Sequence, residues 1–390
     1  MISTLTPERR TGFFFFCQFI AGGTANAYAG IWLSHQNLSA QEIGLVNSLP
    51  VAVLLAINIF VGRIADRASD WRQVIVWGAA ISAVSAMGLF WANSFPAILL
   101  VFVLTATAQS MIVPVADAAA LHLMARHSGG LGLMRSLSTL GYLFGLLVSG
   151  LLIGKLGSWL YVPLFAGLSF ARLWGAITLP RFKSVIDVQS ERRDHRFMDF
   201  LQPWLVLPLA GWSIVYGTHF VLNGFQSLLW SQQGYSTTAI SLLIAVGALS
   251  EAIAFFLFQR VANRLRARWL ILLSSAVTVL RWWAMSFDPP TTALIALQLL
   301  HGITFALGFL ACVTFIGRNS PINVAAEAQS FFLVLQQIAA IAVITVFSWL
   351  AEGTPAEAFS GNAIMALAGT LVVVGGLWLS RTHKAVSHSV

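Results

Sequence analysis

The sequence predicts an all-α integral membrane protein with twelve transmembrane helices in two six-helix repeats and both termini in the cytoplasm. Three observations predict it: charge is scarce, long apolar runs recur along the chain, and the basic residues lie almost entirely on one side. Of 390 residues, 58% are hydrophobic and 9% are charged, against about 25% charged in an ordinary soluble domain. A soluble fold with this composition would bury its core but lack the charged side chains to clothe it. Runs of about 20 apolar residues cross a ~30 Å hydrocarbon layer as helices, and helices satisfy the backbone where no water is present.

The expected spans are 12–34, 43–62, 72–92, 96–122, 134–154, 159–179, 204–230, 240–261, 268–287, 291–317, 328–351 and 361–380. The first could be mistaken for a signal peptide, since Arg9-Arg10 precedes an apolar run and Ala25-Asn26-Ala27 follows. The run from Gly12 to Leu33 exceeds the usual 7–15-residue core of such a peptide, so it reads as a retained helix. With the N-terminus inside, nineteen of the 22 Lys and Arg fall in inner segments and Lys155 alone in an outer loop. The other two, Arg172 and Arg281, lie within spans. Dropping any helix destroys this asymmetry, which is how basic residues report orientation. The same placement explains the net charge of +8 without a nucleic-acid partner. Cys17 and Cys312 sit in apolar runs and read as buried packing thiols, with no disulfide or metal set.

The expected division is a first bundle over 1–180, a cytoplasmic linker over 181–203 and a second bundle over 204–390. The halves match at a constant offset of 197 residues: Arg63-Ile64-Ala65-Asp66-Arg67 against Arg260-Val261-Ala262-Asn263-Arg264. Ser34, Gln36, Ser39, Ile43 and Leu45 match Ser231, Gln233, Ser236, Ile240 and Leu242 in the same register. Parallel repeats of this kind build secondary transporters of the major facilitator type, whose substrate sits near mid-membrane between halves that rock around it. Gly62-Arg63-Ile64-Ala65-Asp66-Arg67 resembles the G-x-x-x-D-R/K signature of those transporters. In it Gly62 permits close helix approach, and Asp66 with Arg67 joins a charge cluster able to hold an inward gate. Taken alone, the same residues read as an ordinary charged loop.

Ionisable residues inside a span are costly, about 2.5–3.5 kcal/mol each on the insertion scale, and so mark candidate sites. Asp117 and Glu251 are the acidic ones; Arg135, Arg172, Arg281, His219 and His301 are the basic ones, with His122 near an inner helix end. Glu251, Arg281 and His301 lie deep in consecutive spans of one half. A carboxylate and an imidazole beside a fixed guanidinium can exchange a proton as access alternates, with Arg281 keeping Glu251 ionised; the plain alternative is a static buried ion pair. Asp117 and Arg135 lie on adjacent spans of the other half and pair either around substrate or structurally. Arg172 is close enough to the inner end to snorkel to the interface or serve packing. His219 is either a satisfied core imidazole or a ligand contact. Most of the 14 Trp read as interfacial or packing residues, those beside Arg281, Trp282 and Trp283, being of more interest. Pro114 is expected to kink its helix just before Asp117.

These residues carry a resemblance over essentially the whole chain. Phe13-Phe14-Phe15-Phe16 leading to Ile31-Trp32-Leu33, then Pro114-Val115-Ala116-Asp117 and Gly132-Leu133-Met134-Arg135, resemble the lactose permease-like branch of the major facilitator superfamily. So do Gln233-Gly234-Tyr235-Ser236, Arg281-Trp282 and Leu300-His301-Gly302. Within that branch the proton-linked 3-phenylpropionate transporters are most similar. The resemblance implies that Asp117, Arg135, Arg281 and His219 contact substrate, and that Glu251, Arg281 and His301 serve proton coupling. Where lactose permease-like proteins carry a glutamate central to proton transfer, this chain has Thr304, which leaves Glu251 or Asp117 as the coupling carboxylate.

The expected activity is therefore proton-coupled symport of a small organic anion, an aromatic carboxylate such as 3-phenylpropionate, by alternating access. The proton is the coupling ion and no cofactor is implied. The expected setting is a bacterial cytoplasmic membrane and the working unit a monomer. Alternatives within transport are a proton-linked sugar or nucleoside symporter and an efflux carrier for apolar compounds. A membrane-embedded enzyme is disfavoured because no nucleotide loop, metal cluster or activated nucleophile appears, and a channel because nothing resembles a selectivity filter.

Overall fold

The fold is seen in a computed structural model that describes residues 6–67, 70–125, 131–182, 201–262, 264–319 and 325–387. All regular structure among these is helical. The chain forms α1 (Pro7–His35), α2 (Ala40–Arg67), α3 (Trp71–Met87), α4 (Phe95–Ala125), α5 (Leu131–Leu156) and α6 (Tyr161–Thr178). There follow α7 (Pro203–Gly224), α8 (Gln226–Gln232), α9 (Thr237–Ala262), α10 (Ala267–Met285) and α11 (Thr291–Leu299). A π-helical segment, Gly302–Leu307, leads to α12 (Gly308–Asn319), α13 (Ala325–Leu350) and α14 (Pro355–Ser387).

Among the described residues ten helical stretches are long and apolar enough to cross a membrane. They are α2 to α7, α9, the run Thr291–Asn319, α13 and α14. Twelve spans require α1 and α10 as well; both are long enough, but Gln18, Thr24 and Asn26 dilute one and Ser274, Ser275 and Arg281 the other. Most of these side chains point inward: Gln18, Thr24, Ser274, Ser275 and Arg281 are buried, while Asn26 is exposed. Outward, Trp77, Trp91, Trp349 and Phe256 are exposed, an apolar surface suited to lipid. Two expected spans differ in shape: 204–230 breaks at Phe225 into α7 and α8, and 291–317 breaks into α11, the π segment and α12. The helix α4 runs through Pro114.

The chain parts into two compact units, Met1–Val188 with Gly224–Leu242 and Gln189–Asn223 with Leu243–Val390. In the first, α1 is the central helix, packed on α5 and α6. A Cβ on Gly145 would strike the Ile20 carbonyl, and one on Gly23 the Tyr142 carbonyl, so α1 and α5 meet backbone to backbone, as small residues allow in membranes. Thr24 Oγ1 and Ser149 Oγ lie 2.7 Å apart, and the Tyr28 hydroxyl donates to the Leu146 carbonyl at 2.6 Å. In the second unit an apolar core of Trp212, Leu270, Ile271, Phe315, Ile316 and Phe332 packs beneath a polar layer contributed by α7, α9, α10 and the π segment.

Candidate functional site

The polar layer of the second unit begins with a break in a helix. The Gly302 N–H donates to Ser250 Oγ at 3.0 Å, and the same hydroxyl reaches the Gln298 carbonyl at 3.3 Å. A serine hydroxyl from α9 thus takes the Gly302 N–H, its own proton shared between the Gly247 carbonyl at 2.8 Å and that of Gln298. A side chain inserted in this way is one of the recognised ways a helix is opened. The π turn follows directly, as such turns often do at functional sites. Gly302 allows the approach, since a Cβ there would strike the Ser250 carbonyl. Ser274 Oγ on α10 donates to the Thr304 carbonyl at 2.9 Å, pinning the turn from the other side.

Arg281 is the centre of the layer and is 0% exposed. Its Nη1 lies 3.1 Å from His301 Nδ1 and donates to Thr304 Oγ1 at 3.3 Å; its Nη2 donates to Gln298 Oε1 at 3.0 Å. The guanidinium also lies over the Trp282 ring at 5.1 Å, a favourable cation–π placement. On the far side of the imidazole, His301 Nε2 lies 3.4 Å from Glu251 Oε2. His301 and Glu251 are the accessible front, with side chains 13% and 29% exposed.

Donor and acceptor inventory assigns the protons. A guanidinium only donates, so His301 Nδ1 accepts and its proton sits on Nε2, directed at Glu251. His219 Nδ1 lies 3.0 Å from the Val215 carbonyl and therefore carries a proton, while His219 Nε2 lies 3.0 Å from Thr304 Oγ1. The Thr304 hydroxyl accepts from Arg281 and has one proton to share between His219 Nε2 and the His301 carbonyl at 3.3 Å. His301 is neutral in this arrangement, and protonating it at Nδ1 would break its contact with Arg281.

The structure thus brings Glu251, Arg281, His301 and His219 into one network, but it places His301 between Glu251 and Arg281 where direct pairing was expected. Sequence reasoning missed Gln298 and Ser250. Gln298 stands one turn before His301 on the same helical face, the spacing signal that would have found it. Of the two tryptophans beside Arg281, Trp282 is buried and donates from Nε1 to Thr218 Oγ1 at 3.0 Å, whereas Trp283 is exposed and meets Phe287 edge-on. Phe305 stacks on His301 at 5.3 Å and 12°, and Tyr216 on Phe305 at 5.5 Å and 25°.

In the first unit Asp117 is half-buried on α4. Arg135 lies on α5, and Gly62, Asp66 and Arg67 in the last turns of α2; their side chains, and that of His122, fall outside the described residues. Of the two uses expected of Arg172, snorkelling and packing, snorkelling is excluded: the arginine is 0% exposed. Its Nη1 donates to Ser82 Oγ at 2.8 Å and its Nη2 to Gln109 Oε1 at 3.0 Å, so polar partners from α3 and α4 hold it inward. Cys17 and Cys312 are free and buried, as expected.

A family model described as the MFS_1 like family matches residues 9–354. The chain belongs to this family. The matched stretch takes in every residue named above as a candidate. This MFS_1-like chain is 26% identical over 346 residues to a protein named probable 3-phenylpropionic acid transporter, from Escherichia coli strain K12. That match covers 86% of this chain and 88% of the relative. It is also 26% identical over 334 residues to maltose permease from Geobacillus stearothermophilus, covering 83% of each. Among solved structures, a mutant of the nucleoside transporter NupG superposes with a TM-score of 0.84 at 15% identity, covering 95% of this chain and all of that one. A bacterial homologue of the lysosomal transporter Spinster, inward-facing and unoccupied, gives 0.70 at 17% identity over 96% and 94%. This is a multi-pass membrane transporter of the major facilitator type, not an enzyme.

Proposed function

We propose that the chain is a proton-coupled symporter of a small organic anion, an aromatic carboxylate such as 3-phenylpropionate, working by alternating access. Twelve spans with both termini inside, halves at 1–180 and 204–390 joined by 181–203, a bacterial cytoplasmic membrane and action as a monomer belong to the same proposal. The observation that carries it is the buried Arg281, whose acceptors, His301 Nδ1, Thr304 Oγ1 and Gln298 Oε1, are all neutral and one of which, His301, leads on to Glu251. Its charge is met by no carboxylate among the described residues, and in a low-dielectric interior such a charge calls for an anion.

His301 Nδ1 holds the place that a substrate oxygen would take on Arg281 Nη1. An arriving carboxylate displaces the imidazole, and the freed Nδ1 then accepts a proton. The imidazolium so formed lies between the bound anion and Glu251. One proton enters with one monoanion, so transport is electroneutral and a pH gradient alone drives it. The Tyr216 and Phe305 rings beside His301 support an aryl substrate. His219 supports Thr304 and through it Arg281. Asp117 and Arg135 contact the substrate from the first half, and Gly62, Asp66 and Arg67 serve the inner gate.

A second reading, a carrier for a neutral sugar or nucleoside, is favoured by the names of the maltose permease and NupG relatives. The test is uptake of radiolabelled 3-phenylpropionate into proteoliposomes under an inward proton gradient, with excess maltose or uridine as competitor. Gradient-driven accumulation, unaffected by either competitor and abolished in Glu251→Gln while exchange persists, is the expected result. Uphill uptake by Glu251→Gln would remove the coupling assignment. No uptake by folded wild type, or full competition by maltose or uridine, would remove the substrate class.

A further inference from the structure

Gln298 is 2% exposed and is held on three sides. Its Oε1 accepts from Arg281 Nη2 at 3.0 Å, its carbonyl is reached by Ser250 Oγ, and a Cβ on Gly247 would come within 2.9 Å of Oε1. Since a guanidinium only donates, Oε1 is fixed as the atom facing it, and the amide Nε2 points elsewhere. That Nε2 is buried with no hydrogen-bond partner, and so is Arg281 Nε. Two unmet N–H donor groups thus stand on adjacent side chains of one site. An unmet buried donor costs about 1–3 kcal/mol; Gln226, Gln336 and Arg172 also keep one each, but here two adjoin within the network that holds His301 and Glu251.

The residue type is as informative as the contact. A glutamate at 298 would meet Arg281 with the same shape and a stronger, charge-assisted bond. It would also neutralise the guanidinium. Glutamine orients Arg281 as well, leaves its charge uncompensated, and adds N–H donors. All three features suit a bound anion; the first two recur where Gln109 meets Arg172, and the buried, unpartnered Nε2 of Gln298 is what this pair adds.

We propose that Gln298 is a substrate-binding residue that sets the charge class of the substrate: it holds Arg281 ready for an anion and donates to that anion from Nε2. This rests on the reading of the site as one for an organic carboxylate. Thr304, the second neutral acceptor, serves the same end from the other nitrogen, but its hydroxyl is already engaged by His219, so the unmet donors belong to Gln298 and Arg281.

The test is equilibrium binding of 3-phenylpropionate and of its neutral analogue 3-phenylpropanamide to the purified full-length protein, wild type against Gln298→Glu and Gln298→Met. Gln298→Glu is isosteric and is expected to raise the Kd for the carboxylate roughly 100-fold, by removing a donor group and supplying a competing charge. The carboxylate-to-amide preference should fall at least about tenfold with it. Gln298→Met, neutral but without donors, is expected to weaken carboxylate binding about tenfold and carries the test alone if the glutamate variant does not fold. Carboxylate binding within twofold of wild type in the folded variants overturns the role of Gln298 and leaves the anion reading intact. Equal weakening of both ligands assigns Gln298 to packing and overturns it likewise. Failure of folded wild type to bind any carboxylate overturns the anion reading itself, and this inference with it.

Discussion

Replacing Arg281 by lysine separates charge from geometry. The guanidinium reaches three neutral acceptors from two nitrogens: His301 Nδ1 at 3.1 Å, Thr304 Oγ1 at 3.3 Å and Gln298 Oε1 at 3.0 Å. A lysine ammonium brings three donors on one nitrogen and cannot span the same fork. At least one acceptor is then left unmet, at about 1–3 kcal/mol, and the donor that the carboxylate would meet at Nη1 is no longer held in place by Gln298. At about 1.4 kcal/mol per factor of ten, Arg281→Lys should raise the KM for 3-phenylpropionate roughly 10- to 100-fold, with Vmax falling less. Arg281→Ala strands all three acceptors, about 3–9 kcal/mol against a total stability near 5–15 kcal/mol. Its loss of activity would therefore report folding as much as binding, and lysine is the deciding variant. The assay is initial-rate uptake in proteoliposomes at fixed proton gradient, with thermal unfolding measured alongside. A lysine variant of wild-type KM and lowered melting temperature would refute substrate contact by Arg281 and leave it a structural residue.

Thr304→Val removes the acceptor for Arg281 Nη1 and the hydrogen-bond partner of His219 Nε2 while keeping shape. It should weaken binding several-fold, at about 1–2 kcal/mol, with Thr304→Ser restoring it; equal behaviour of the two variants in substrate titrations would show that the hydroxyl is idle. Arg172→Leu should leave transport unchanged and the melting temperature equal or higher, because a buried charge exchanged for apolar volume is often neutral or stabilising. A folded Arg172→Leu protein without uptake would show that this arginine also serves transport.

Much of this was legible in the sequence, and the parts that were not share a cause. Apolar runs and basic asymmetry are properties of single segments, so α2 to α6 are placed within a few residues. The breaks at Phe225 and Gly302 were not visible, because they depend on contacts between helices: the second follows from Ser250 taking an N–H that an isolated helix would keep. Glu251, Arg281, His301 and His219 stood out because charge inside a span is rare. Gln298 did not, because an amide in a span carries no charge to flag it and its meaning comes from the guanidinium it faces. The pairing of Glu251 with Arg281 followed from opposite charge alone; the imidazole between them follows from the opened helix that carries His301.

Two arginines are fully buried in this chain, and comparing them shows why only one is assigned to function. Arg172 and Arg281 are both 0% exposed, both donate to a glutamine carbonyl oxygen at 3.0 Å, and both keep an unmet Nε. Burial, cost and residue type therefore do not distinguish them. What differs is the next atom outward. Arg172 is closed off by a serine and a glutamine, neither of which can change charge. Arg281 abuts an imidazole whose far nitrogen lies 3.4 Å from a carboxylate on the accessible side. A change at Glu251 therefore has a route to Arg281 through one ring, and a ligand on Arg281 has the same route back. Coupling needs that reciprocity, and the polar contacts of Arg172 offer no equivalent.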